Sequence, residues 1–207
     1  MTYIKICGIT NMDDAAAAVA AGADLLGFNF YKPSPRYITP QKAREIVRRF
    51  PNEVLKVGVF VNEELADVHT IMRVAGLGAL QLHGDESPEY CSKFPGCCVI
   101  KTFAVTDTFD VHAAEAYEVD GIMLDTKHNH LRGGTGRVFD WSIARQAALT
   151  IPNLYLAGGL SPENVENAIK TVRPFAVDAC SALEDSPGKK NHERMRVFIN
   201  TVRGIAP

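Results

Sequence analysis

Three side chains of this sequence have both the chemistry and the placement for proton transfer on a bound anion. Cys7 follows the short apolar run 3–6, Asp125 follows the run 121–124, and Arg36 stands between a proline and a tyrosine. A thiol and a carboxyl group can act as base and acid, and a guanidinium can grip a carboxylate or phosphate. Taken alone, Cys7 could also be a small buried hydrophobe, as most free cysteines are. Arg36 could be an ordinary surface arginine.

Eight apolar runs of strand length alternate with segments of helical character. Helices are predicted between the runs, and several open on a capping residue such as Asn11, Thr39 or Ser87. Alternation of this kind indicates a parallel sheet, and eight units of about 26 residues suit a short (β/α)₈ TIM barrel of the α/β class. A doubly wound open sheet is the runner-up. We predict one domain over 1–207, with strands at 3–6, 24–30, 54–61, 79–82, 98–103, 121–124, 154–157 and 176–179.

A closed barrel would bring the carboxyl ends of all eight strands to one face, where barrel enzymes place their catalytic groups. The glycine pair 158–159 and the turn 180–181 follow strands seven and eight, where barrels commonly bind phosphate. The simpler alternative is that the glycine pair only makes a tight turn. The polar candidates at this face are Cys7, Arg36, Asn62, His83, Asp125, Gly158, Gly159, Asp178 and Ser181.

The loop 126–136 contains two further features. His128 and His130 flank an asparagine, but no third ligand of clear spacing accompanies them, so we interpret them as solvated side chains and predict no metal site. The glycine cluster 133–136 begins about eight residues after its strand, too far for a nucleotide-binding turn. A mobile flap over Asp125 fits it better.

Composition narrows the class of protein. A chain of 207 residues with 46% hydrophobic and 22% charged residues can bury one substantial core. A net charge of -2 and a pI near 6.3 favour neither nucleic acid nor a membrane surface as a partner. The five cysteines form no C-x-x-C pair and suit a reducing compartment. With no signal peptide or membrane-spanning run at hand, we expect a cytoplasmic protein.

The motifs, taken together and in order, resemble the phosphoribosylanthranilate isomerase family over nearly the whole chain. Each motif alone is weak, and their combination is specific. They are KICGIT at 5–10, GFNF at 27–30, SPRY at 34–37, VGVFVN at 57–62, QLHGDE at 81–86, LDT at 124–126, GGTG at 133–136, FDW at 139–141, LAGGL at 156–160, PENV at 162–165 and DACSALE at 178–184.

The resemblance implies a barrel enzyme of tryptophan biosynthesis that acts on a small molecule carrying phosphate and carboxylate groups, without cofactor or metal. The reaction would be the Amadori rearrangement of N-(5-phosphoribosyl)anthranilate to 1-(2-carboxyphenylamino)-1-deoxyribulose 5-phosphate. Cys7 would be the general base and Asp125 the general acid. Arg36 would hold the anthranilate carboxylate, His83 and Asp178 would line the sugar, and Gly158, Gly159 and Ser181 would bind the phosphate. Monomer and homodimer both remain open.

These roles require unusual pKa values. An ordinary cysteine is only about 3% thiolate and an ordinary aspartate about 0.1% protonated at neutral pH. Because acid–base groups contribute most when their pKa values are tuned to the task, we predict a lowered pKa for Cys7 and a raised one for Asp125.

Three positions depart from the family pattern. Cys180 and Ala182 stand where serine and glycine are usual, and Asn191 replaces an aspartate. Backbone N–H groups survive these changes, so phosphate binding should persist unless residue 182 needs a positive φ. Two alternatives stay open: a related barrel of the histidine-pathway isomerase type, which uses aspartate as base, and a phosphate-binding barrel without activity.

Overall fold

The computed structural model describes residues 1–105, 109–125 and 141–205. The features predicted in the loop after Asp125, including His128, His130 and the glycine cluster 133–136, lie outside the described residues. The described segments belong to one barrel, and we expect the same single domain to span 1–207.

Eight parallel strands form a closed barrel in which each strand pairs with its neighbours in chain order and β1 pairs with β8. Closure confirms the predicted (β/α)₈ architecture and rules out the open sheet. The strands are β1 Tyr3–Ile6, β2 Leu25–Asn29, β3 Leu55–Phe60, β4 Ala79–Leu82, β5 Cys98–Ala104, β6 Gly121–Asp125, β7 Leu154–Ala157 and β8 Ala176–Ala179.

The helices surround the barrel, and α4 and α5 are only about one turn long. Capping side chains set several of their starts: Asn11 accepts from the backbone N–H of Asp14, Thr39 from Lys42 and Ser87 from Tyr90. The helices are α1 Met12–Ala21, α2 Pro40–Val47, α3 Leu65–Ala75, α4 Pro88–Cys91, α5 Val111–Glu115, α6 Ser142–Thr150, α7 Val165–Val172 and α8 His192–Gly204.

Helix α7 begins at Val165, although the sequence Ser161-Pro162-Glu163 is typical of a helix start. Residues 161–164 form a turn in which the side chain of Asn164 accepts from the N–H of Ser161 and donates to the carbonyl of Gly159. Asn164, with φ -123°, is therefore the residue that precedes the first helical one.

Alternation along each strand produces two apolar cores. Ile4 and Ile6 pack outward in the core between strands and helices. Leu25, Val57 and Met123 belong to a second core inside the barrel. Lys5 is the register partner of Leu25 and so also points into the barrel. The residue that follows the strand on this inward face is Cys7.

A small hairpin follows β8, and its two strands are not among the eight that the sequence predicts. A 3₁₀ turn at Ser181–Leu183 leads into β9 Glu184–Ser186, which pairs antiparallel with β10 Lys189–Lys190. The N–H of Lys190 donates to Oδ2 of Asp14 at 2.8 Å, which ties the hairpin to α1. The hairpin thereby brings two charged side chains, Glu184 and Lys190, to the mouth of the barrel.

Candidate active site

Cys7 lies at the carboxyl end of β1, half-buried at the mouth of the barrel. Its N–H donates to the carbonyl of Ala179 at 2.9 Å, and Gly8, with φ 76°, turns the chain directly after it. Gly27 on β2 leaves room for the thiol, because a Cβ there would lie 2.8 Å from the sulfur of Cys7. The strand register and two glycines therefore fix the position of this thiol.

The surroundings of Cys7 favour its thiolate. A hydrogen bond from the thiol of Cys180 is the main cause that holds the pKa of Cys7 well below its ordinary value, and the ammonium groups of Lys5 and Lys190 act in the same direction against burial. The same hydrogen bond and burial raise the pKa of Cys180. The shift of Cys7 has the direction that the sequence predicted.

The ammonium group of Lys5 lies inside the barrel in an ion pair with Asp178 on β8, with Nζ 2.9 Å from Oδ1. Burial disfavours the charge on Lys5, but the attraction of Asp178 and Cys7 outweighs it and raises the pKa of Lys5. Burial raises the pKa of Asp178 to about 6, although Lys5 opposes this. The lysine is thus a permanent positive charge two residues before Cys7.

Asp125 ends β6 at the same mouth and faces His83 at the end of β4, with 3.4 Å between Oδ2 and Nε2. The amide nitrogen of Gln81 lies 3.1 Å from Nδ1 of His83 and holds the ring that faces Asp125. His83 and Asp125 line a cavity of about 620 Å³ together with residues of β5. The carboxyl group is thereby oriented beside space for a ligand.

Arg36 reaches the mouth from the loop after β2 and forms a fork with Glu184. Its Nε lies 2.9 Å from Oε1 and its Nη2 lies 2.6 Å from Oε2 of that carboxylate. Lys190 adds a second cation 3.0 Å from Oε1. A Cβ on Gly8 would lie 2.8 Å from Cδ of Arg36 and 2.9 Å from the sulfur of Cys180, so the arginine crosses beside the two thiols.

The loops after β7 and β8 are neighbours because these strands pair. Gly158 and Gly159 have φ values of 93° and 75°, a conformation that glycine adopts without strain. Ser181 is exposed at the start of the 3₁₀ turn that follows β8. Ala182 lies within this turn and has no positive φ, so alanine fits there without strain. Both loops thus follow the carboxyl ends of their strands, at the mouth of the barrel.

Comparison with known proteins identifies the family of this chain. The family model described as N-(5'phosphoribosyl)anthranilate (PRA) isomerase matches residues 4–201. The chain belongs to this family. It is an isomerase of tryptophan biosynthesis and catalyses the Amadori rearrangement of N-(5-phosphoribosyl)anthranilate.

Individual relatives agree over the full length of this isomerase. The N-(5'-phosphoribosyl)anthranilate isomerase of Thermotoga neapolitana is 48% identical over 206 residues, which cover 99% of this chain and 100% of the relative. The crystal structure of phosphoribosyl anthranilate isomerase from Thermotoga maritima has a TM-score of 0.92 at 45% identity, over 99% of this chain and 100% of that one. A structure of the enzyme in complex with reduced 1-(o-carboxyphenylamino)-1-deoxyribulose 5-phosphate has a TM-score of 0.89 at 43% identity, over 99% and 100%.

Four residues of the isomerase's site escaped the sequence reasoning as functional groups: Lys5, Cys180, Glu184 and Lys190. The alternation of β1 offered a signal for Lys5, since a lysine two residues before Cys7 on a buried strand must find a buried partner. Glu184 ends the motif DACSALE at 178–184 but was given no role, and Lys190 carried no signal, because the hairpin that positions both side chains was not predicted.

Asn62, one of the strand-end candidates, holds a loop of the isomerase together. Its backbone has φ 49°, its side chain accepts from the N–H of Asp85 at 2.7 Å, and its own N–H donates to Glu86 at 2.9 Å. These bonds fix the loop after β4 that carries His83.

Within the described part of the chain, no group of three or more His, Cys, Asp and Glu side chains is arranged to hold a metal ion. No described helix has the length and apolar character needed to cross a membrane.

Proposed function

We propose that Cys7 is the general base and Asp125 the general acid of this isomerase. The observation that carries the proposal is the position of Cys7, a thiol whose pKa is lowered by Cys180, Lys5 and Lys190 at the mouth that Asp125 shares. Burial is the largest cause of the raised pKa of Asp178, and the charges of Cys7 and Asp125 also raise it, so both groups influence the same carboxyl group.

The reaction then consists of proton transfers in a fixed order. Asp125 protonates the furanose ring oxygen, which opens the ring to a Schiff base. The thiolate of Cys7 then removes the proton at C2, which gives an enolamine. The enolamine becomes the ketose when C1 gains a proton and the C2 hydroxyl loses one. C2 is oxidised and C1 is reduced within one molecule, so the balance needs no external electron acceptor. A raised pKa of Asp125 stays a prediction.

Substrate contacts complete the proposal. Arg36 binds the anthranilate carboxylate, and Glu184 holds its Nε and Nη2 and so orients the guanidinium at the mouth of the barrel. His83 and Asp178 line the sugar. Gly158, Gly159 and Ser181 bind the phosphate through loops on paired strands.

The experiment is a fluorescence assay of phosphoribosylanthranilate consumption by wild type, Cys7→Ala and Asp125→Asn. Each substitution should lower kcat by about 10²–10⁴-fold and change KM little, since it removes a proton-transfer group. Cys97→Ala is the matched control, a cysteine before β5 that should leave activity unchanged. An unaffected Cys7→Ala would overturn the assignment of the base.

We also propose a cytoplasmic enzyme that works as a monomer or homodimer. All five cysteines, each within the described residues, are thiols, as suits a reducing compartment.

A further inference from the structure

Cys7 and Cys180 directly follow the ends of two neighbouring strands. Ile6 and Ala179, the last residues of β1 and β8, are register partners, and each is followed by a cysteine. Paired strands lie about 4.8 Å apart. Disulfides join residues whose Cα atoms are about 4.4–6.8 Å apart. The backbone spacing of the barrel therefore suits a bond between the two cysteines.

The two backbones stay paired at this point, since the N–H of Cys7 donates to the carbonyl of Ala179, the residue before Cys180, at 2.9 Å. Each thiol also affects the other, because their interaction lowers the pKa of Cys7 and raises that of Cys180. A Cβ on Gly8 would lie 2.9 Å from the sulfur of Cys180, which places that sulfur directly beside the turn that follows Cys7. Cys7 and Cys180 are both half-buried at the mouth of the barrel.

Nearby cations suit the pair to thiol–disulfide exchange, in which a thiolate is the attacking group. Lys5 favours the thiolate of Cys7, and Nζ of Lys190 lies 3.8 Å from the sulfur of Cys180. The charge of Cys7 disfavours a second thiolate at Cys180. Once the sulfur of Cys7 is bonded to another sulfur, that charge is gone, and Lys190 and Arg36 remain to stabilise the thiolate of Cys180.

We propose that Cys7 and Cys180 form a reversible disulfide, which inactivates the isomerase when a low-molecular-weight disulfide is present as the oxidant. The thiolate of Cys7 attacks one sulfur of that disulfide and releases a first thiolate. Cys180 loses its proton, attacks the sulfur of Cys7 in the mixed disulfide and releases a second thiolate. The protein gives up two electrons, and the small disulfide is reduced to two thiols. Activity is lost because the base is consumed, a step that rests on the proposed role of Cys7.

The test uses the reduced full-length chain, equilibrated with increasing ratios of oxidised to reduced glutathione. Remaining thiols are then blocked with N-ethylmaleimide, and cross-linked peptides are identified by mass spectrometry. We expect one internal bond, between Cys7 and Cys180, with Cys91, Cys97 and Cys98 still blocked by the reagent. Activity should fall in parallel by about 10²-fold or more, the loss expected when a general base is removed, and dithiothreitol should restore it.

Two variants separate the switch from other oxidation. Cys180→Ser should form no internal disulfide. Its activity is compared with that of its own reduced form, and any loss on oxidation should occur without an internal cross-link. Cys98→Ser should switch as wild type does. The proposal is overturned if glutathione stays attached to Cys7 while Cys180 remains free, or if the bonded chain keeps its activity.

Failure of the switch is distinguishable from failure of the proposed catalytic role. The role of Cys7 is judged by Cys7→Ala without any oxidant, whereas the switch is judged by which sulfurs become bonded in the wild-type chain.

Discussion

Lys5 and Asp178 are register partners on β1 and β8, and their side chains form an ion pair inside the barrel with 2.9 Å between Nζ and Oδ1. Lys5 is fully buried. A buried pair contributes little net stability against apolar replacements, but removal of one partner leaves a buried charge uncompensated. Its value to this enzyme is electrostatic, because the retained ammonium group favours the thiolate of Cys7.

Lys5→Met should therefore lose stability and impair the base. We expect the free energy of unfolding, measured in urea at pH 7, to fall by about 3–5 kcal/mol. The acidic limb of kcat/KM should move to higher pH, because a cation beside Cys7 is gone. The double variant Lys5→Met/Asp178→Leu should recover most of the stability and none of the activity. A single variant as stable as wild type would contradict this account.

Glu184→Gln should change how stability depends on pH. Burial favours protonated Glu184, but Arg36 and Lys190 outweigh it and lower the pKa of this carboxyl group. A carboxyl group whose pKa is lowered by folding stabilises the folded state at pH values above its pKa in the unfolded chain, about 4.3. This stabilisation is lost as the pH falls through its pKa in the folded protein. The variant should be about 3–5 kcal/mol less stable at pH 7. Urea unfolding between pH 7 and 3 should show this gap narrowing on acidification, and a constant gap would refute the assignment.

Gly159→Ala should weaken phosphate binding. At φ 75° an alanine is strained, although its Cβ would meet no atom within 4 Å. We expect a loss of roughly 1–2 kcal/mol in stability and a raised KM. Gly96→Ala is the matched control, since Gly96 has φ 79° and the same open surroundings but lies before β5. Equal changes in KM for both variants would argue against a phosphate loop at Gly159.

Gly27→Ala should disturb the base directly. The added Cβ would lie 2.8 Å from the sulfur of Cys7 and 3.1 Å from Nζ of Lys5, so both groups must shift. We expect a stability loss of about 1–3 kcal/mol and a fall of kcat/KM by at least about ten-fold. Gly204→Ala, whose Cβ would meet nothing within 4 Å, should leave both quantities close to wild type. Unchanged kcat/KM for Gly27→Ala would mean that the thiol tolerates displacement.

The fold could be predicted from the sequence because strands and helix starts are marked by residues close together in the chain. Apolar runs marked all eight strands, and Asn11, Thr39 and Ser87 marked helix starts through caps formed within a few residues. The position of Cys7 at a strand end followed from the same pattern. Asn164 shows the limit of such signals, because its backbone departs from helical geometry after a sequence that reads as a helix start.

The rest of the site depends on partners far apart in the chain. Lys5 and Asp178 are separated by 173 positions, and Arg36 and Glu184 by 148. No spacing rule connects such residues, since only barrel closure and the hairpin after β8 bring them together. The sequence therefore identified Cys7 and Arg36 but not the groups that tune and orient them.

The most direct measurement compares two midpoints of pH dependence, one for alkylation of Cys7 by iodoacetamide and one for the acidic limb of kcat/KM. If the thiolate of Cys7 is the base, the two midpoints coincide in the wild type, below the value of about 8.5 for an ordinary cysteine. In Cys180→Ala, which lacks the hydrogen bond to Cys7, both should rise together, while Cys180→Ser, which retains a donor, should rise less. A kcat/KM midpoint that stays in place while the alkylation midpoint moves would contradict the assignment of Cys7 as the base.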